Sequence, residues 1–302
     1  MFFLIFFQML ALAILIMTGY YIGRRHLLDD HSMGQISYLI GHVFNPMLMI
    51  SASLSADSSG DMRQWLIVLA IAFTVFVVLI LLSYVIAPLF DRSKGQKEMF
   101  QLMLIFGNLG YMGIPVVKGV YGESYTFYVL AFMMCYNFFY YTFAMALFNG
   151  GLRKDSLRGM LNPGTISGIV AIFIVLFHIS LPAFLATSID YLGGLTSPLA
   201  MLAVGYTVSQ SDLRAIFTNV RIIIFTILRM ILLPLLCIPL LKLLPLSQEI
   251  IGVCLIEIAM PVGNLILIGG TEKGIDCTNC SASIIMTTLL SVITLPLLIL
   301  FL

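Results

Sequence analysis

Charged residues are scarce in this sequence, and that scarcity excludes most soluble proteins. Asp, Glu, Lys and Arg together make up 10% of the 302 residues, whereas hydrophobic residues make up 61%. Soluble domains contain about 25% charged and about 45–50% apolar residues. Because no soluble fold could bury so much apolar surface, and because helices satisfy their own backbone in lipid, the composition predicts an all-α polytopic membrane protein in a lipid bilayer.

Sequence signals for other functions are missing as well. No basic stripe suggests a nucleic acid partner, and neither a His-Glu-x-x-His helix nor paired intramembrane aspartates indicate an enzyme. Cys277 and Cys280 have a CxxC spacing, but no second pair or histidine lies nearby in the sequence, so we expect two incidental thiols. The sequence predicts a protein that is not an enzyme and has no cofactor or metal.

Apolar segments of about 20 residues, each able to cross about 30 Å of hydrocarbon, recur along the whole chain. They number ten and lie at roughly 2–23, 33–54, 64–90, 98–119, 125–149, 162–182, 190–210, 217–242, 249–270 and 281–302. Loops after the odd-numbered segments hold eleven Lys and Arg residues, whereas the alternate loops hold three. Since cytoplasmic loops are enriched in Lys and Arg, both termini are predicted on the non-cytoplasmic side.

The two halves of the sequence resemble each other. Pro46 in segment 2 has a counterpart 152 residues later in Pro198 of segment 7, and Pro115 in segment 4 has one in Pro261 of segment 9. The first repeat covers 1–150 and the second 151–302. Each repeat holds five spans, an odd number, so the second must enter the membrane in the opposite sense. Two inverted five-helix repeats with one broken helix in each are typical of secondary transporters.

Segment 4 is the most interrupted of the apolar segments. Four glycines, at 107, 110, 113 and 119, and Pro115 lie within it. Pro115 has no N–H, and its ring disturbs the bond that the Tyr111 carbonyl would accept. Irregular backbone at membrane depth persists only where protein shields it or where it lines a wet cavity. We therefore expect a helix broken at Pro115 beside a transport site; a proline kink between packed helices is the alternative.

The residues beside the two breaks are the candidate substrate-binding site. They are Asn108, Gly110, Pro115, Pro261 and Asn264. An amide can donate to a carboxylate without a buried charge, and the N-termini of half-helices favour an anion. The alternative is that the two amides cap their own broken helices.

Two charged residues, Arg229 and Glu257, lie inside predicted spans. Charges in lipid are costly, so both side chains should face protein or water. They could form a salt bridge with each other; alternatively, Glu257 could bind a coupling proton or Arg229 the substrate anion. Asp61, which follows segment 2, is a further candidate for coupling or a plain loop carboxylate.

The motif Met112-Gly113-Ile114-Pro115-Val116-Val117-Lys118-Gly119-Val120-Tyr121-Gly122, with Asn108 just before it, resembles the central motif of the auxin efflux carrier family. This family includes plant PIN-type carriers and bacterial permeases for malate and malonate. Arg229 followed by Pro234, and Met260-Pro261, also match. The loop Gly150–Leu161 is short compared with the long hydrophilic loop of many plant members, so a bacterial inner-membrane protein is expected.

The resemblance implies a ten-helix fold in two parts. Spans 1, 2, 6 and 7 would form a scaffold, through which a homodimer could assemble, and spans 3–5 and 8–10 a moving transport domain. Spans 4 and 9 would cross at their breaks, with an organic anion bound beside them. The family's substrate-binding asparagine falls on Asn108, and a conserved family aspartate falls, less closely, on Asp61.

We expect a secondary transporter that moves a small organic anion, such as malate, malonate or an auxin-like acid, by elevator-like alternating access. Coupling to H⁺ or Na⁺ is open. Alternatives are an ion-coupled symporter or exchanger of the bile-acid or cation/proton type, and a membrane sensor that does not transport. Cation exchange would require paired carboxylates at the crossing, and only Glu257 lies near it in the sequence.

Overall fold

The computed structural model describes residues 2–54, 62–151, 163–177 and 179–302. These residues form helices and loops, with no β-strand within the described ranges. The helices are α1 (Phe2–Arg24); α2, made of Asp30–Leu39, a π-helical turn at Ile40–Phe44 and Asn45–Leu54; α3 (Met62–Phe90); α4 (Gln96–Ile105); α5, made of a π-helical turn at Leu109–Gly113 and Ile114–Tyr121; α6 (Glu123–Phe148); α7 (Pro163–Leu176); α8 (Ala183–Gln210); α9 (Leu213–Thr218); α10 (Val220–Lys242); α11 (Gln248–Ile258); α12 (Asn264–Glu272); and α13 (Thr278–Ile299).

Six of the described helices, α1, α3, α6, α8, α10 and α13, are long and apolar enough to cross a membrane. Helix α7 is apolar but shorter, whereas α4 with α5, and α11 with α12, are pairs of short helices separated by interruptions. The prediction of an all-α polytopic membrane protein is confirmed. The count of ten spans and their inverted relationship stay predictions.

Three prolines are accommodated by π-helical turns rather than by breaks. Pro46, Pro115 and Pro234 each lie two residues after such a turn ends. At Pro115, the N–H of Ile114 donates to the carbonyl of Leu109, five residues earlier. The wider turn relieves the clash that a proline ring makes with the carbonyl four residues before it. The helix therefore continues through Pro115, and the prediction that it breaks there is wrong.

Helix α1 packs closely against the second half of α8. A Cβ atom at Gly19 would collide with the backbone carbonyl of Leu202, and one at Gly205 would collide with that of Ile16. The missing side chains allow the two helix backbones to approach, as small residues do between membrane helices.

Elsewhere, α2 packs against α7 and the first half of α8, while α3 packs against α4 and α6. The first set of contacts joins predicted spans 2, 6 and 7, and the second joins spans 3, 4 and 5. The division into a scaffold and a transport domain stays a prediction, but these contacts fix which helices surround the two interruptions.

Candidate functional site

The interruptions of the two broken helices are in direct contact. The first, at residues 106–108, separates α4 from α5, and the second, at residues 259–263, separates α11 from α12. The N–H of Asn108 donates to the carbonyl of Pro261 at 2.7 Å, and the N–H of Gly263 donates to the carbonyl of Phe106 at 3.0 Å. Between these bonds, Gly107 and Val262 form an isolated antiparallel β-bridge.

These bonds explain how unwound backbone persists deep in the protein. Backbone N–H and C=O groups away from water need partners, and each interruption supplies them to the other. The N–H of Val262 donates to the Thr287 hydroxyl of α13 at 3.1 Å. Only glycine fits at the contact itself, because a Cβ at Gly263 would lie 2.8 Å from the carbonyl oxygen of Gly107.

Arg229 reaches both interruptions from the π-helical turn of α10. Its side chain is 2% exposed, and its Nη1 donates to the carbonyl of Ile258 at 2.7 Å. Ile258 is the last residue of α11, so the guanidinium lies at the partly negative carbonyl end of that helix. A Cβ at Gly107 would lie 2.9 Å from Nη2 of the same arginine. Arg229 therefore holds the end of α11 against the first interruption.

Glu257 is the second buried charged residue beside the interruptions. It is 1% exposed, and its carboxyl group packs against Gly113, where a Cβ would lie 2.7 Å from Oε2. Neither carboxyl oxygen has a hydrogen-bond partner within the described part of the chain. No ion pair joins Glu257 to Arg229, although both are described. Of the alternatives that the sequence left open for these two residues, the mutual salt bridge is therefore not the one that the structure contains.

A cavity of about 20 Å³ lies beside the paired interruptions. Four polar atoms of residues on its lining are buried and have no hydrogen-bond partner within the described residues: Asn45 Oδ1, Asn108 Nδ2, Tyr111 Oη and Asn264 Oδ1. Nearly all buried polar groups in proteins are paired with protein or water, so these four atoms are open to hydrogen bonds with a molecule in the cavity. The volume is about that required for one water molecule.

Two larger cavities lie along α8, one beside its middle and the other at its C-terminal end. One, of about 310 Å³, is lined by Gln8, Pro115, Lys118 and Asp190 among others. The other, of about 620 Å³, is lined by residues that include Gln210 and Asp276. The Thr278 hydroxyl and N–H donate to Asp276 and hold the pKa of that carboxyl below its usual value of 3.8.

The structure brings together some of the residues that the sequence predicted. Asn108, Gly110 and Asn264 line the small cavity. Pro261 contributes its carbonyl to the contact between the interruptions, whereas Pro115 lines the 310 Å³ cavity, where its carbonyl accepts a bond from Gln8 Nε2 at 3.1 Å. Asp61 lies outside the described residues.

The sequence analysis missed three polar residues of the small cavity, Asn45, Tyr111 and Asn137. Asn45 comes from α2 and Asn137 from α6, so their approach depends on helix packing. A signal existed for Asn45, which directly precedes the repeated proline at 46, and for Tyr111, which lies between two of the glycines in segment 4.

Proteins with similar sequences are named as transporters. The chain is 26% identical over 298 residues to an uncharacterized transporter of Methanocaldococcus jannaschii, covering 95% of this chain and 96% of the relative. It is 24% identical over 312 residues to an uncharacterized transporter of Methanothermobacter thermautotrophicus, covering 95% of each. It is 26% identical over 298 residues to a Rhizobium meliloti protein provisionally named as a malonate transporter, covering 93% of this chain and 90% of the relative.

A family match spans almost the whole chain. The family described as "Membrane transport protein" matches residues 4–156 and 151–299. The match confirms the resemblance to the auxin efflux carriers, which rested on the segment from Asn108 to Gly122. This chain belongs to the membrane transport protein family.

Proposed function

We propose that this chain is a secondary carrier for a small organic carboxylate, which it binds in the small cavity between the two interruptions. The observation that carries the proposal is the cluster of four buried, unpartnered polar atoms on the residues of that cavity. Leaving buried polar groups unsatisfied costs about 1–3 kcal/mol each, so a fold retains such a cluster where a ligand uses it.

The chemistry of the cavity fits an anion better than a cation. Asn108 Nδ2 and the Tyr111 hydroxyl can donate hydrogen bonds to a carboxylate, whereas the Asn45 and Asn264 oxygens can accept them from a hydroxyl or water. Helices α5 and α12 begin at the cavity with their partly positive ends, which favours an anion. No carboxylate lines it within the described residues, which disfavours an exchanger of cations. Malonate is a reasonable first substrate to test, because it appears in the name of the Rhizobium meliloti relative.

The sizes of the three cavities support a mechanism of alternating access. The small cavity accommodates about one water molecule, so a carboxylate can bind only when the surrounding helices separate. The 310 Å³ cavity, beside the middle of α8, and the 620 Å³ cavity, at its C-terminal end, would serve as the routes to either side of the membrane. In the proposed elevator-like shift, spans 3–5 and 8–10 move against spans 1, 2, 6 and 7, and the bond from Gln8 to the Pro115 carbonyl breaks.

A thermal-shift series on the purified protein tests the proposed substrate class. A ligand that binds the folded state raises the melting temperature, by an amount equivalent to about 2.7 kcal/mol at a hundred times its dissociation constant. We expect malonate, malate or indole-3-acetate to raise the melting temperature of the wild type and to be taken up by proteoliposomes that contain it. Absence of both effects for every carboxylate would contradict the proposal and favour a sensor for another ligand.

A further inference from the structure

We propose that Glu257 is a proton-binding site that couples anion movement to proton movement. Its carboxyl group carries a proton in the conformation described here. In a conformation that admits water, the O–H bond breaks and the proton passes to a water molecule, which leaves a carboxylate. This inference rests on the proposed carrier function and names the proton as the ion whose movement is coupled to transport of the anion.

The first argument is that an ionised Glu257 would be a buried charge without a partner. The side chain is 1% exposed, and neither oxygen accepts a hydrogen bond within the described residues. The nearest candidate for a counter-ion, Arg229, donates instead to the carbonyl of Ile258. Burying an unpaired carboxylate costs at least several kcal/mol even after the protein relaxes, so a proton must accompany this one.

The second argument is the position of Glu257 within its helix. It is the penultimate residue of α11, whose last residue is Ile258. The carbonyl end of a helix carries a partial negative charge, which opposes a carboxylate there. Burial and the helix end therefore both disfavour an ionised Glu257 carboxylate.

The titratable groups described around Glu257 do not supply a counter-ion in place of Arg229. The other buried titratable groups on its own and the neighbouring helices are Cys254 on α11, Tyr111 on α5, Arg229 on α10, Cys280 on α13, and Tyr128, Cys135, Tyr136 and Tyr140 on α6. Among buried side chains of the described residues, Arg229 and Glu257 are the only two that are charged in their ordinary forms. Proton exchange at Glu257 thus changes the net charge of a region with one fixed cation.

The third argument connects Glu257 to the anion cavity. Its carboxyl group packs against Gly113, in the π-helical turn of α5, two residues after Tyr111 on the cavity lining. A glycine leaves room for the carboxyl at this point, since a Cβ would lie 2.7 Å from Oε2. A change in the charge or hydration of Glu257 therefore acts directly on the helix that presents Asn108 and Tyr111 to the anion.

Proteoliposomes loaded with a pH-sensitive dye test the inference on the wild-type protein. We expect uptake of the radiolabelled carboxylate to move protons across the membrane. We also expect an imposed pH gradient of about one unit, worth about 1.4 kcal/mol per proton, to drive accumulation up to about tenfold for each coupled proton. Accumulation driven by a Na⁺ gradient with no proton movement would overturn the inference.

Two variants assign the effect to Glu257. Glu257→Gln keeps the shape and cannot release a proton, so we expect it to lose both the dye response and the gradient-driven accumulation. Glu249→Gln, at the other end of α11, is the matched control and should keep both. Gly113→Ala, which pushes a methyl group onto the Glu257 carboxyl, should weaken the coupling. Proton-coupled accumulation by Glu257→Gln at the wild-type level would overturn the inference.

The outcomes separate failure of the inference from failure of the proposed function. If the wild type exchanges a labelled carboxylate across the membrane but a pH gradient does not drive its accumulation, the carrier function is supported and the proposed role of Glu257 is wrong. If the wild type exchanges no carboxylate at all, the proposed function itself is wrong. Absence of proton movement in the wild type overturns the inference even if the Glu257→Gln protein does not fold, and unchanged coupling in Gly113→Ala would then contradict the assignment to Glu257.

Discussion

The backbone N–H of Asn108 donates to the carbonyl oxygen of Pro261 over 2.7 Å, although the two residues lie in opposite halves of the sequence. With the return bond from Gly263 to Phe106, it makes a short stretch of sheet-like pairing inside an otherwise helical protein. Each interruption satisfies backbone groups that the other leaves free, so neither is stable without its partner.

This mutual dependence places the candidate binding groups. Asn108 and Asn264 lie at the starts of the half-helices that follow the two interruptions. Because the pairing holds these helix starts together, the amides and the Tyr111 hydroxyl converge on one cavity. The site is therefore built by backbone pairing and completed by side chains from α2 and α6.

The Tyr111 hydroxyl should matter for transport and not for folding. It is buried without a partner, so Tyr111→Phe removes no intramolecular bond and should leave the melting temperature unchanged or slightly higher. A hydrogen bond to a charged ligand is worth about 1.5–3 kcal/mol, so carboxylate affinity should fall about 10- to 100-fold. Binding by thermal shift and uptake by proteoliposomes measure the two effects.

Tyr140→Phe is the matched control for that variant. The Tyr140 hydroxyl donates to the carbonyl of Leu265 at 2.9 Å, so its loss should reduce stability by about 0.5–1.5 kcal/mol. Affinity should change less than in Tyr111→Phe. Equal affinity losses in the two variants, or a strong destabilisation by Tyr111→Phe, would contradict the assignment of Tyr111 to the ligand.

Arg229 should be required for the folded arrangement of the interruptions. In Arg229→Met the carbonyl of Ile258 loses its side-chain donor, and leaving such a group unsatisfied costs about 1–3 kcal/mol. Arg229→Lys keeps the charge but has fewer hydrogen-bond donors, so its melting temperature should lie between those of the wild type and Arg229→Met. Melting temperatures in detergent measure the loss, with Arg24→Met at the exposed end of α1 as the control. A fully stable Arg229→Met protein would show that the bond is dispensable.

The contact of α1 with α8 should tolerate no side chain at its closest point. Gly205→Val forces atoms onto the Ile16 carbonyl, and overpacking of this kind costs about 1–3 kcal/mol. The control is Gly34→Ala in α2, where nothing lies within 4 Å of the new Cβ. There the substitution should stabilise the helix by about 0.5–1 kcal/mol. Opposite shifts in melting temperature are expected, and shifts of the same sign would contradict the close packing.

Asp91 should contribute stability that disappears in acid. The hydrogen bond from the Ser93 hydroxyl, and then that from its N–H, lower the pKa of Asp91 from its usual 3.8, with a smaller effect of Arg221. Because the folded pKa lies below the unfolded one, the contribution is complete above the unfolded value and is lost as pH falls through the folded value. Its size should not exceed about 1 kcal/mol, since Arg221 is largely exposed.

A pH series of melting temperatures checks this prediction. The melting temperature of the wild type should exceed that of Asp91→Asn at about pH 7, and this difference in melting temperature should shrink as the pH falls below about 4. A difference that grows in acid would show that the carboxylate is unfavourable in the folded state.

The sequence predicted the interrupted helices but misplaced one interruption. Glycines and Pro115 marked segment 4 as irregular, yet the backbone unwinds at residues 106–108, several residues earlier. The reason is physical: a π-helical turn absorbs the proline, and the unwinding occurs where Phe106 and Asn108 find backbone partners in the second interruption. Local composition does not reveal a partner that lies in the other half of the chain.

The buried charges illustrate the same limit. The cost of a charge in lipid correctly predicted that Arg229 and Glu257 are enclosed by protein, because that cost depends on the residue alone. Their partners could not be predicted, since Arg229 binds a helix end and Glu257 packs against Gly113. Asn137 reaches the site only through the packing of α6, which no spacing in the sequence encodes, whereas Asn45 was marked only by its position before the repeated Pro46.

Counterflow of radiolabelled malonate and other small carboxylates into proteoliposomes is the most direct test of the account. The wild type and Gln35→Ala, which alters an exposed amide that contacts His31 on α2, should exchange at least one of these anions. Asn108→Ala, which removes an amide from the cavity, should exchange the same anion at least about tenfold more slowly, in line with the loss of a hydrogen bond to a charged group. Equal exchange by Asn108→Ala and the wild type would contradict a solute site between the two interruptions.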